Sequence, residues 1–239
     1  METQVRVAER SAVSTSIAIT LDGYLDGVAD ASMIFRSAVD AYLREGSERA
    51  CWQLARRIAD IVRTLDDMQQ TLEMRHVAQS ARGAVGSAMF EPLTDLSRLV
   101  KDMKRQITGF AIECGFTRCG RRVPAPLVAD VQELTDEVCA AIDALVEASR
   151  PGPQGWQQPA ADADGRGVGW HEARADRLST ALVRRILADE ALDVKARLLL
   201  AQFVEEIDRL ADQAEGVAGA LQTRSMGGSG GGAAVAQAH

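Results

Sequence analysis

The chain has 239 residues, of which 46% are hydrophobic, 26% charged and only 4% aromatic. That composition fits one ordinary globular domain or two small ones, with enough apolar mass for a real core. Asp and Glu number 34 against 27 Lys and Arg, a net charge of −7, which argues against a general binder of nucleic acid or anionic membrane. No window reaches the roughly 18 to 20 apolar residues of a membrane span, and the first residues lack the apolar core of a signal peptide. Cys51, Cys114, Cys119 and Cys139 fit neither a disulfide framework nor a zinc or redox spacing. The expectation is a cytoplasmic protein with reduced thiols, peripheral to a membrane only through a partner.

Residues 1–15 are expected to be a flexible lead-in, followed by a helical domain over 16–223. Apolar residues recur every three or four positions between breakers, which predicts an all-α fold of six helices at about 16–45, 47–76, 91–114, 125–149, 168–189 and 193–222. The first helix spaces Leu21, Val28, Phe35 and Tyr42 by sevens, a coiled-coil-like stripe. Ser47 and Gly46 mark the joint that follows. Pro92 and Pro126 suit first helical turns, and Asp193 suits a cap for the last helix. The fourth helix carries Leu127, Val131, Leu134, Val138, Ile142 and Leu145 on one face. Residues 150–167 read as a polar loop. The glycine-rich tail 224–239 has too little apolar surface to order itself.

Two windows repeat within the chain. Trp52, Ala55 and Arg56 align with Trp170, Ala173 and Arg174, and Gln106, Gly109 and Ala111 align with Gln213, Gly216 and Ala218. The expected architecture is therefore two three-helix repeats, over 16–116 and 125–223. At the aligned positions Glu172 and Asp176 stand where the first repeat has Leu54 and Ile58. Glu205, Asp208, Asp212 and Glu215 stand where it has Arg98, Lys101, Arg105 and Thr108.

At about 100° per residue, Glu172 and Asp176 fall within the apolar arc of the fifth helix, where carboxylates need a partner, a proton or a cation. Glu205, Asp208, Asp212 and Glu215 edge the arc of the sixth helix. If the two helices pack by their arcs, six carboxylates converge, a donor set for a hard cation. For Glu205 and Glu215 a solvated face is the plainer reading. Arg98, Lys101 and Arg105 form a basic stripe, either an anion or partner contact or a solvated face. His171 sits at the border of its arc and reads as half-buried.

The two repeats, with HEARADRL on the second helix and EEIDRLADQAEGVA on the third helix of repeat two, resemble the PhoU-like superfamily. The resemblance is closest to the branch of accessory proteins of Pit-type inorganic phosphate transporters. It implies a six-helix PhoU-like bundle that regulates phosphate transport, with the transporter as partner and self-association as an option. It also implies iron, manganese or zinc held through acid-x-x-x-Asp motifs, which Glu172-x-x-x-Asp176 and Asp208-x-x-x-Asp212 match. Two other classes compete. A ferritin-like metal enzyme needs Glu-x-x-His pairs from facing helices, and the chain holds one, Glu73-x-x-His76, with no second. The glycine run at 227–232 has no strand before it and no helix after it, so it is neither a nucleophile turn nor a phosphate cradle. An enzyme is therefore not expected. The other competitor is a metal-free helical adaptor.

Overall fold

The computed structural model describes residues 2–44, 48–80, 90–115, 123–150 and 166–228. They form α1 (Glu2–Arg44), α2 (Glu48–Ser80), α3 (Phe90–Gly115), α4 (Ala125–Ser149), α5 (Val168–Ala188) and α6 (Val194–Gly228), with no strand among them. All six expected helices are present. α1 begins at Glu2, not near 16, because residues 2–15 hold no Pro or Gly to stop it. α6 likewise runs past 222 to Gly228. The predicted Gly46 stop, Ser47 cap and most of the 150–167 loop and of the tail lie outside the described residues.

Packing follows the repeat. α1 packs on α2, α3 and α4, while α4 packs on α5, α6 and α1, and α3 closes on α6. Exchanging α1 with α4, α2 with α5 and α3 with α6 leaves that pattern unchanged. The core comes from the predicted stripes: Leu21, Val28, Phe35 and Tyr42 of α1 are buried, as are Leu127, Val131, Leu134, Val138, Ile142 and Leu145 of α4. Gly27 lets α1 approach α2 closely, since a Cβ there would lie 2.7 Å from Cδ2 of buried Leu65.

Polar ties fix the helix ends and seams. Asp193 caps α6 as expected, accepting the Ala196 N–H at 2.8 Å. Pro92 and Pro126 sit in the first turns of α3 and α4. Arg150, at the end of α4, reaches Asp26 of α1 at 2.7 Å, and Arg36 of α1 meets Asp136 of α4 at 3.0 Å. The repeated glutamines both work at the α3–α6 seam. Gln106 donates to the Glu206 carbonyl and Gln213 to Asp102, each at 2.7 Å.

The third helices hold the aligned register: Leu96, Val100, Met103, Ile107 and Ala111 are buried, and so are Phe203, Ile207, Leu210, Ala214 and Ala218. The second helices do not. Ile58 is 0% exposed, yet its aligned partner Asp176 is exposed. The buried stripe Cys51, Ile58, Val62 and Leu65 of α2 corresponds to Val168, Ala175, Ser179 and Leu182 of α5, one residue out of step with the shared tryptophans. Trp52 and Trp170 lie on the surface, 37% and 38% exposed, so the identity that aligned them carries no burial to fix the register.

Phe203 joins the two halves, its ring 5.6 Å from Tyr42 and 5.7 Å from Phe110. Phe203→Ala should therefore cost about 3 to 5 kcal/mol, read from the urea unfolding midpoint. A loss within about 0.5 kcal/mol, typical of a surface change, would show that the halves are held elsewhere.

Candidate functional site

α5 and α6 run antiparallel, bringing Ser179 to Asp208 at the middle and Gly169 toward Glu215 at one end. The open edge of the seam between them carries the acids that the sequence singles out. Their depth differs from expectation. Glu172 and Asp208 are half-buried, whereas Asp176, Glu205, Asp212 and Glu215 are exposed. The correction is largest for Asp176. α5 buries a narrow stripe, Val168, Ala175, Ser179, Leu182 and Ile186, because among the described residues α4 and α6 are the helices that pack closely on it. Asp176 follows Ala175 by about 100° and turns out of the core at the seam's edge.

The carboxylates nevertheless act on one another. Burial first, then Glu215, Asp212, Asp176 and Asp208, hold the Glu172 carboxyl above the usual carboxylate range. Asp208 is raised by burial and then by Asp212, Asp176 and Glu205, against a lowering hydrogen bond from Ser179 Oγ at 2.6 Å. Asp212 is raised by burial and by Asp176, while Arg209 opposes the shift. All six acids thus belong to one electrostatic patch. Asp208 Oδ1 is buried with no hydrogen-bond partner in the protein, a lone acceptor on a carboxyl that the patch's other negative charges act on.

The donor set is entirely oxygen, the chemistry that hard cations take. Among the described residues, however, no three His, Cys, Asp or Glu side chains are gathered at metal-ligating positions. The acids are strung along the edge of the α5–α6 seam and do not converge on a point.

The other flank of α5 is basic and aromatic. Arg174 pairs with Glu133 and Glu137 of α4 at 2.9 and 2.8 Å. His171, half-buried as expected, lies 2.9 Å from Glu137 through Nδ1. Arg166 and Arg174 stand over the Trp170 ring at 5.0 and 5.7 Å. The sequence reading does not anticipate Glu133, Glu137 or Ser179. The signal for the first two is an acid pair one turn apart on α4, legible only once α4 is known to face α5.

In repeat one the basic stripe is neutralised locally. Arg98 pairs with Asp95, Lys101 with Asp66 and Arg105 with Asp102, at 3.0, 2.8 and 3.3 Å.

No protein-family model matches the chain, and no curated protein does. Solved structures do match. A PhoU-like phosphate regulatory protein from Shewanella oneidensis MR-1 superimposes with a TM-score of 0.67 at 16% identity, over 88% of this chain and 99% of that one. PhoU from Pseudomonas aeruginosa gives 0.61 at 16% identity, over 91% and 99%. The fold is that of PhoU-like proteins. A second PhoU-like protein from Shewanella oneidensis MR-1 gives 0.61 at 18% identity, over 87% and 99%.

The raised carboxyls make a pH prediction. A carboxyl that binds its proton more tightly in the folded chain than in the unfolded one favours folding while protonated and opposes it once ionised. Glu172, Asp208 and Asp212 therefore subtract stability as pH rises through the carboxylate range. Asp212→Asn should match the parent below about pH 3 and exceed it at pH 7 by up to about 1 kcal/mol, with the gain shrinking in high salt. Denaturant titrations across pH measure this, and an Asn variant no more stable than the parent at pH 7 and low salt would refute the coupling.

Proposed function

We propose that the chain is a non-enzymatic regulator or accessory of inorganic phosphate transport, acting in the cytoplasm beside a Pit-type transporter, with a metal held at the α5–α6 seam. The observation that carries this reading is the acid patch placed on a PhoU-like fold: half-buried Glu172 and Asp208, with Asp176 and Asp212, coupled across two helices. Glu205 and Glu215 extend the patch at either end. The unpartnered Asp208 Oδ1 and the all-oxygen donor set fit iron, manganese or zinc bound through carboxylates. A bound cation would supply positive charge that relieves the repulsion between these acids. The chain's own contribution is to fix both walls: Ser179 orients Asp208, and the Arg174–Glu137 and Arg174–Glu133 pairs hold α5 against α4.

The competing reading is a metal-free adaptor, favoured by the spread of the acids along the seam. Elemental analysis separates the two. The expected result is a retained transition metal, or thermal stabilisation by added iron, manganese or zinc. Glu172→Ala combined with Asp212→Ala should abolish uptake and leave helicity intact. No metal after both aerobic and anaerobic preparation, with no stabilisation by any of the three ions, would leave the adaptor reading. The transport role has its own measurement. Loss of the chain should change cellular uptake of labelled phosphate, and a Pit-type transporter should co-purify with it; neither effect would confine the proposal to the metal.

A further inference from the structure

Repeat one contains a pair of thiols that the acid patch does not use. Cys51, near the start of α2, and Cys114, near the end of α3, place their Sγ atoms 3.4 Å apart although 63 residues separate them in sequence. Cys51 is fully buried and Cys114 is 6% exposed. The corresponding places in repeat two hold Val168 and Leu221, apolar side chains that serve as ordinary packing. Packing alone therefore does not call for sulfur here. The two sulfurs need to close by only about 1.4 Å to reach bonding distance.

We propose that Cys51 and Cys114 are a disulfide-forming pair, oxidised by hydrogen peroxide, that staples α2 to α3 in repeat one. Cys114, the less buried thiol, gives up its proton, and its sulfur attacks one peroxide oxygen. The O–O bond breaks, and the departing hydroxide takes up that proton as water, leaving a sulfenic acid. Cys51 sulfur then attacks the Cys114 sulfur; the S–O bond breaks, and the hydroxide leaves as water with the Cys51 proton. Two thiols and one peroxide give one disulfide and two waters. Burial pushes the Cys51 thiol up to about 12, and burial with the nearby Glu113 and Glu48 raises Cys114, so thiolate is scarce and the reaction slow. The pair suits sustained oxidation better than a rapid pulse. Once formed, the bond closes a long loop and restricts the unfolded chain.

The test uses the full chain, compared in dithiothreitol and after hours in millimolar peroxide. The expected results are the loss of two hydrogens in mass, a cross-linked peptide joining Cys51 to Cys114, and a Tm higher by roughly 5 to 10 °C. Cys51→Val and Cys114→Leu, which copy the side chains that repeat two places there, should each fold and lose all three signs. A Cys119→Ser, Cys139→Ser double variant should keep them. Thiols at 51 and 114 that still alkylate fully after peroxide would overturn the proposal. A cross-link to Cys119 in place of this one would overturn it equally.

Discussion

The contact between α1 and α4, the opening helices of the two repeats, is the constraint on which the bundle depends. Each buries apolar residues on more than one side, because each meets two helices of its own repeat and one of the other. That double duty leaves α1 and α4 little freedom in sequence, and it pushes chemical variety outward. Among the described residues α2 packs mainly on α1 and α3, and α5 mainly on α4 and α6. A helix covered on one side needs a single apolar stripe, so the rest of its surface can carry charge without loss of core. The acid patch belongs to such a helix and to the outer edge of α6.

Within this arrangement α5 separates opposite electrostatic environments. One flank faces the carboxylates of α6, while the other sends Arg174 and His171 into the acids of α4. The helix thus balances charge on the side where it must be anchored and accumulates it on the side that is open. The repulsion among Glu172, Asp208 and Asp212 is a local strain on the α5–α6 contact that any cation at the seam would relieve.

Much of the fold is legible in the sequence because it rests on hydrophobic period and helix breakers. The stripes of α1 and α4 can be read residue by residue, as can the Asp193 cap. The candidate acids are legible as a group of neighbours, but their depth is not. Sequence period puts Asp176 in the core because the apolar arc of α5 runs through Leu178, Val183 and Leu187; in the fold Leu178 and Val183 are only partly buried and Leu187 is 44% exposed. Period gives the direction of a face, but its width is set by how many helices cover it. The Arg174–Glu137 contact is invisible in sequence for a related reason, since cross-helix partners depend on rotation about both axes. The Cys51–Cys114 approach depends on tertiary register in the same way.

That register has a consequence for how the two halves are compared. The third helices keep their buried positions under the aligned register, but the second helices do so only when the register shifts by one residue, about 100° around the helix. A motif of one half therefore cannot be transplanted into the other by that alignment. Writing the acids of α5 into α2 as Leu54→Glu and Ile58→Asp would drive the second carboxylate into a fully enclosed position, at a cost no surface acid incurs. The position that matches Asp176 by buried stripe is Ala59, next door and half-buried. A residue's burial thus follows the stripe its helix turns inward, and identities on an exposed face, such as Trp52 and Trp170, are a poor guide to which positions of the two halves correspond.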